Sequence, residues 1–500
     1  MSLQRLEYKG NYIGGEFVKA SGSLSWEKQS PSDLKDVVFE CAEQYDHVDH
    51  AVAAAREAYA SWRKLSLDER KEYLLKLKAV YIENKEKIAE IISRETGKVY
   101  WETLGEAGAL ANKIDITINE SLKLIAEQKI ANALPNVDGY VRFKPRGVMA
   151  IVGPFNFPAH LPNGHIIPAL ITGNTVVLKP SEVTPATGQL LAEMFHKAGF
   201  PKGVFNMVQG RVETGKRLVK HEHVDGVLFT GSYDVGLKIS QDVITHYGKL
   251  VALEMGGKNA SIVWSDADMD KAVYETIFGS YASTGQRCSC TSRIIVHKKI
   301  KDEFLKRFHE TAKKIKIGHW KEDVFCGPLI HDQAVEKYLR FQQIALREGA
   351  ESIMRGKVLE FSHKGYYVSP SIYFIEKPNP TSVFEKEEVF GPSVAVYAVD
   401  DFDEALRIAN DTSYGLAASV FTKDKNKYIK AFEDLQVGNV NWNRATCGAS
   451  SKLPFGGEKK SGNDRPSGNF AVYYCTTPIA CLEDQQHFDP KAIAKGIELQ

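Results

Sequence analysis

Between residues 147 and 253 short apolar runs alternate with helical segments, and this alternation constrains the fold more than any other feature of the chain. Val148–Val152, Thr175–Leu178, Val204–Val208, Val227–Phe229 and Leu250–Leu253 read as buried strands. Pro185 at a first helical turn opens a helix that Ala198-Gly199 closes, with Pro201 beyond it. Further helices are expected around Thr214 to Lys220 and after Ser232. Strand–helix alternation at this spacing predicts a parallel, doubly wound sheet. Such a sheet licenses no function by itself.

A second alternating series follows. Its strands are expected at Ala260–Trp264, Arg293–His297, Val394–Tyr397 and Asn439–Trp442, with helices near Asp268 to Tyr281, Lys301 to Lys314 and Phe402 to Ala409. Upstream, residues 47–97 read as two helices, with Ser66-Leu-Asp-Glu69 as a capping box and Gly97 as a stop. Two pieces fit neither series: Gly139–Lys144, with period-two alternation, and Phe470–Cys475. Both read as strands of an added sheet at a subunit contact. The expected division is residues 1–130 and 147–255 as a nucleotide-binding domain, 256–466 as a second α/β domain, and 131–146 with 467–485 as the added strands.

Composition narrows the partners. A chain of 500 residues that is 43% hydrophobic buries a large core without staples. Its 64 basic and 63 acidic side chains leave a net charge of +1, so no bulk charge calls for nucleic acid or an anionic membrane. Met1–Gly10 carries Arg5, Glu7 and Lys9 and lacks the apolar core of a secretory signal. The most apolar stretch, 166–177, is interrupted by Pro168, Gly173 and Asn174. Seven cysteines, an odd and low count, suit a reducing compartment. A cytoplasmic protein is expected.

Three segments could carry chemistry: Gly153-Pro-Phe-Asn-Phe-Pro158, Leu253-Glu-Met-Gly-Gly257 and Gly285-Gln-Arg-Cys288. A strand end followed by a Gly/Pro-rich turn is where an α/β sheet presents ligand groups. A carboxylate followed by two glycines marks a place where only bare backbone fits closely. A cysteine beside Arg287 is in a setting that favours the thiolate. The Cys288-Ser-Cys290 spacing lacks the second Cys/His cluster of a zinc site, so no metal is expected.

Together with Lys179-Pro-Ser-Glu182, Phe229-Thr-Gly-Ser232, Glu387-Glu-Val-Phe-Gly-Pro392 and Pro454-Phe-Gly-Gly457, these segments resemble the aldehyde dehydrogenase superfamily over nearly the whole chain. His160-Leu-Pro-Asn-Gly-His165, Ser461-Gly-Asn-Asp-Arg-Pro-Ser467 and Tyr473-Tyr-Cys475 are similar to the bacterial succinylglutamate-semialdehyde branch of arginine catabolism. Ala159, a position that is usually Gly in that branch, and Glu458-Lys-Lys460 depart from it.

The resemblance implies an aldehyde dehydrogenase-like fold: a Rossmann-type cofactor domain, an α/β catalytic domain and a small oligomerisation sheet, in a homodimer or homotetramer. It implies Cys288 as the nucleophile, Glu254 as the base that activates water, and Asn156 with the Cys288 backbone N–H as oxyanion donors. Lys179, Glu182, Gly231, Ser232, Glu388 and Phe390 would hold NAD. The acidic Glu182 disfavours a 2′-phosphate but leaves NADP open. Gly210–Gly215 departs from the glycine-richer turn of many relatives, which puts its part in dinucleotide binding in question. His160, His165, Arg287, Arg444 and Arg465 are candidates for a carboxylated aldehyde substrate. Rival readings are a dehydrogenase for succinate or glutamate semialdehyde, a non-catalytic binding protein on the same scaffold, and a coenzyme A-dependent variant. Glu254 argues against the last, which needs no water-activating base.

Overall fold

A computed structural model describes residues 4–499 apart from 22–24, 464, 489, 491 and 492, so Asp464 of the Ser461–Ser467 segment lies outside the described residues. The first alternating series forms one seven-stranded sheet. Its strand order is Leu250–Glu254, Gly226–Thr230, Val148–Val152, Thr175–Lys179, Phe205–Met207, Asn11–Ile13, Glu16–Val18. The first five run parallel, and the two N-terminal strands add antiparallel beyond Phe205–Met207. From Val148–Val152 the chain first winds one way, through Thr175–Lys179 and Phe205–Met207. It then crosses to Gly226–Thr230 on the other side. A crevice therefore opens beyond the carboxyl ends of Val148–Val152 and Gly226–Thr230, where doubly wound sheets bind ligands.

A second seven-stranded sheet has the order Glu351–Met354, Ser371–Ile375, Ser393–Val399, Thr291–His297, Asn259–Val263, Ala417–Phe421, Asn439–Trp442. All of its neighbours are parallel except Glu351–Met354. The chain passes from the first sheet to the second within Met255–Lys258. Carboxyl ends of the first sheet thus meet amino ends of the second, and the functional residues collect at that junction. Residues 461–463 return along the edge strand of the first sheet: Leu253 N–H donates to Asn463 Oδ1 at 2.7 Å and Met255 N–H to Ser461 O at 2.9 Å.

Local signals account for several boundaries. The Ser66–Glu69 capping box forms, with Ser66 Oγ accepting from Glu69 N–H and the Glu69 carboxylate accepting from Ser66 N–H. Gly97 stops its helix at φ +75°. Residues 47–97 hold three helices rather than two, because Asn84 ends Leu67–Glu83 and begins Lys85–Thr96. A fourth helix, Tyr100–Asn119, follows.

The added sheet is three-stranded: Thr476–Glu483 pairs antiparallel with Val137–Pro145, which pairs with Gln128–Leu134. Phe470–Cys475 is not one of its strands, since Ala471–Tyr474 is a helical turn. Ala471, Val472, Tyr474 and Cys475 are buried and Tyr473 is exposed, a pattern with helical rather than alternating period. Among the described residues no helix is long and apolar enough to cross a membrane.

Candidate active site

Cys288 closes a turn of unusual backbone. Ser283, Thr284 and Gly285 lie consecutively in the left-handed region, at φ +52°, +56° and +72°. Two non-glycine residues in that region cost free energy unless their surroundings over-determine them. Here they do. Ser283 Oγ donates to Glu102 Oε1 at 2.7 Å, Thr284 Oγ1 to Gly327 O at 2.8 Å, and Gln286 Oε1 accepts from Ile330 N–H at 3.0 Å. A Cβ on Gly285 would stand 2.3 Å from Gly391 O, so only glycine fits. Asn259 Nδ2 then fixes the far side of the turn, donating to Cys288 O at 2.7 Å and Cys290 O at 2.9 Å.

The structure draws Asn156 to the same turn. Its buried Nδ2 donates to Gln286 O at 3.0 Å, and its Oδ1 accepts from Phe157 N–H. One amide hydrogen remains to be directed at a ligand oxygen. Glu254 ends the edge strand of the first sheet, and both of its carboxylate oxygens are buried without a hydrogen-bond partner among the described residues. Oε1 faces Gly456, where an added Cβ would come within 3.1 Å. Burial drives the Glu254 carboxyl well above the ordinary carboxylate range, and Arg465 only partly opposes it.

A buried carboxyl without partners destabilises the fold once it ionises. The native state holds the Glu254 proton to higher pH than the unfolded chain does, so stability falls as pH rises from the ordinary carboxylate pKa to the raised native one. Glu254→Gln is therefore expected to raise Tm at pH 8 and to lose that advantage as pH approaches 4. Calorimetry across this range checks it; an equal Tm for both proteins at pH 8 would contradict the burial argument.

The Cys288 thiol is held high by burial first, then by the Glu254 and Glu388 carboxylates. This corrects the expectation that Arg287 favours the thiolate. Arg287 Nη2 is paired with Glu102 Oε1 at 2.7 Å and its Nε donates to Ser283 Oγ, so its charge is neutralised behind the turn. Cys290 points away into the core, its thiol near Ala282 O. All seven cysteines are free.

The expected cofactor residues gather along the crevice. Lys179 ends its strand, and its Nζ lies 3.0 Å from Glu182 Oε2. Burial alone would raise the Glu182 carboxyl; the Lys179 ammonium, a backbone hydrogen bond and the charge of His331 together outweigh it and hold it below the ordinary range. Gly231 follows Gly226–Thr230, and its N–H donates to Glu254 O at 2.9 Å. Ser232 is the N-cap of Tyr233–Val243, yet its side chain caps no backbone N–H, which leaves the hydroxyl for a ligand. Glu388 Oε1 accepts from Gly257 N–H at 2.8 Å, and burial pushes its carboxyl up to about 7. Phe390, at φ +56°, packs edge-on against Phe155. At the Gly210–Gly215 turn the helix N-terminus is filled by the chain itself: Glu43 accepts from Arg211 N–H at 2.9 Å and Thr214 Oγ1 at 3.0 Å.

The expected substrate residues divide. His160 begins the helix His160–Ile171, and its Nδ1 is buried without a partner among the described residues. Arg444 has an exposed side chain. His165 is committed inside the protein, with Nδ1 2.6 Å from Tyr474 Oη and Nε2 3.4 Å from Thr230 Oγ1, and burial lowers its pKa to about 3. Arg465 donates to Gly457 O and Glu458 Oε1 at 2.7 and 2.9 Å. Arg287 and Arg465 thus already have acidic partners. Sequence reasoning missed Lys98 and Glu106, whose side chains meet behind Asn156 at 2.5 Å. Eight residues apart across a helix stop, they show no helix-face spacing that would betray the pair.

Comparison with known proteins bears on the same residues. The Aldehyde dehydrogenase family profile matches residues 17–478. The N-succinylglutamate 5-semialdehyde dehydrogenase of Paraburkholderia xenovorans (strain LB400) is 38% identical over 97% of this chain and 99% of its own. That of Acinetobacter baylyi is 39% identical over 98% and 99%. The NAD-dependent aldehyde dehydrogenase from Sinorhizobium meliloti superposes with a TM-score of 0.92 at 30% identity, covering 98% of this chain and 97% of its own. The 1-pyrroline-5-carboxylate dehydrogenase from Thermus with bound NAD gives 0.88 at 30% identity, covering 95% and 92%. With the two facing sheets, the cysteine turn and the buried glutamate inside the matched span, this chain belongs to the aldehyde dehydrogenase family.

Proposed function

We propose that the chain oxidises N-succinylglutamate semialdehyde to N-succinylglutamate with NAD, as a step of arginine catabolism. The observation that carries the reaction class is the convergence of Asn156, Glu254 and Cys288 at the sheet junction, with an unpartnered buried carboxylate among them. Two nearly full-length relatives that bear this activity in their names support the substrate.

The cofactor crevice fits a dinucleotide. The Glu182 carboxylate accepts from ribose hydroxyls and repels a 2′-phosphate, which places NADP second. Ser232, with its uncommitted hydroxyl beside Gly231, suits the pyrophosphate, and Glu388 with Phe390 suits the second ribose. NAD bound there would supply a hydride acceptor.

The chain's own residues do the rest. The Cys288 thiol gives up its proton to solvent water, and its sulfur bonds to the aldehyde carbon while the carbonyl π pair moves onto oxygen, giving a thiohemiacetal oxyanion. Asn156 Nδ2 and the Cys288 N–H donate to the developing oxyanion, one such donor being worth about 2.7–4 kcal/mol. After hydride loss the acyl group remains on Cys288 as a thioester. Glu254, poised high by burial, takes a proton from the water that hydrolyses it. On this reading residues 1–130 and 147–255 hold the cofactor and 256–466 the nucleophile, with Gln128–Leu134 already part of the added sheet. The strands within 131–146 and 467–485 join subunits of a homodimer or homotetramer in the cytoplasm.

A substrate panel tests the proposal. Of the expected substrate residues, Arg444 is the exposed cation available to a substrate carboxylate, while His160 Nδ1 is buried without a partner among the described residues. The kcat/KM for N-succinylglutamate semialdehyde is expected to exceed that for a neutral aldehyde of similar length by roughly tenfold or more, about 1.4 kcal/mol of differential transition-state binding. Added salt should erode the preference without erasing it. Equal efficiency with propanal would sink the carboxylate pocket; equal efficiency with succinate semialdehyde would keep the pocket and reject the succinylated substrate.

A further inference from the structure

The segment that presents Asn156 is a loop between Val148–Val152 and His160–Ile171, and loops do not hold a donor within hydrogen-bond tolerance unless something clamps them. One buried ion pair does so from both ends. Lys98 Nζ donates to the Asn156 backbone carbonyl at 2.8 Å and sits 4.0 Å from the centre of the Phe157 ring. Its partner Glu106, with a fully buried side chain, turns Oε2 to Lys98 and uses Oε1 to accept from Ala159 N–H and His160 N–H, each at 3.1 Å. The clamp thus grips the carbonyl of residue 156 and the N–H groups of 159 and 160, with Asn156 Nδ2 extending to the cysteine turn.

We propose that the Lys98–Glu106 pair is a positioning device for the reaction, acting through the aim of the Asn156 amide. Replacing such a pair with apolar side chains is often neutral for stability, so stability gives no reason of its own for placing an ion pair here. A buried charged hydrogen bond to a carbonyl and two N–H groups resists rotation of the loop as apolar packing does not. Neither side chain reaches the reacting atoms in this account; both act on the amide that does. The inference rests on the reading of Asn156 as an oxyanion donor.

A double-mutant cycle tests it in the full-length enzyme, with the best aldehyde of the panel and NAD. Lys98→Met alone is expected to lower kcat roughly tenfold to hundredfold, as a displacement of about an ångström does, with KM for NAD little changed. Alkylation of Cys288 by iodoacetamide should keep its rate, because the nucleophile and its turn are untouched. In an Asn156→Ala background the same Lys98→Met change should cost less than about threefold, since the group it aims is gone. A full loss in both backgrounds, or none in either, would overturn the inference. Should Lys98→Met not fold, Glu106→Gln, which retains an acceptor for the two N–H groups, runs through the same cycle with the same expectations. Asn156→Ala by itself losing less than about tenfold would instead defeat the oxyanion reading, since removal of one such donor ordinarily costs 10²–10³ in kcat.

Discussion

Cys288→Ala is expected to abolish aldehyde oxidation while NAD binding, followed by fluorescence titration, stays within about twofold, because in the proposed mechanism the thiol forms the covalent bond and holds no part of the dinucleotide. The residual rate should fall to the background of the assay. An alanine leaves no atom that can carry the acyl group, and the turn around it is held by Ser283, Thr284, Gln286 and Asn259 rather than by the thiol. Cys290→Ala is the control. Its thiol is buried beside Ala282 O and faces no ligand group, so most activity should survive. Reversed behaviour of the two variants would assign the chemistry to the wrong cysteine and undo the placement of the oxyanion donors with it.

The thiol's environment shows where sequence reading reached and where it stopped. Cys288, Glu254 and Asn156 were legible because each sits in a Gly/Pro-marked turn next to a recognisable strand, and strand ends are where such a sheet exposes functional groups. The charge state of the cysteine was not legible. Arg287 is adjacent in sequence, but its guanidinium belongs to Glu102, a residue far along the chain. Proximity in sequence says nothing about which carboxylate a long side chain finds. The same limit hid Lys98 and Glu106, and it hid Glu43 at the N-terminus of Val212–Lys220. His165 sat in a diagnostic segment, yet Tyr474 and Thr230 claim both of its ring nitrogens.

Secondary structure divides along a similar line. Ser66, Gly97 and Pro185 were readable because caps and stops are local chemistry. Phe470–Cys475 was misread because aromatic and β-branched residues favour strands on average, and here tertiary packing drew Tyr474 inward on a helical turn. The strands Ser25–Ser30 and Asp33–Ala42 carry few periodic apolar positions. They pair with each other, and Val38, Phe39 and Cys41 of the second are buried in the core, none of which a local pattern announces.

Glu254→Gln is expected to slow the steady rate by roughly 10²–10⁴, the usual contribution of a positioned general base. An amide cannot take the proton of the attacking water, whereas bond formation at Cys288 and hydride loss do not need it to. Acyl-enzyme should therefore accumulate, and a pre-steady-state burst of NADH should appear or grow while the later rate falls. The pH dependence gives a second reading of the same residue. Because burial raises the Glu254 carboxyl well above the ordinary range, kcat in the native enzyme should decline with acidification at a pH above that of an exposed carboxylate. Glu388 ionises at about 7 and could produce a similar decline. The two are separable on the proposed reading, in which Glu388 holds the cofactor: its titration should alter KM for NAD, and that of Glu254 should alter kcat at saturating NAD. Loss of the acid limb of kcat in Glu254→Gln, with the NAD dependence retained, assigns the limb to Glu254. An unchanged steady rate at neutral pH would remove Glu254 from the mechanism and leave its unpartnered, buried carboxylate as a cost in stability without a chemical purpose.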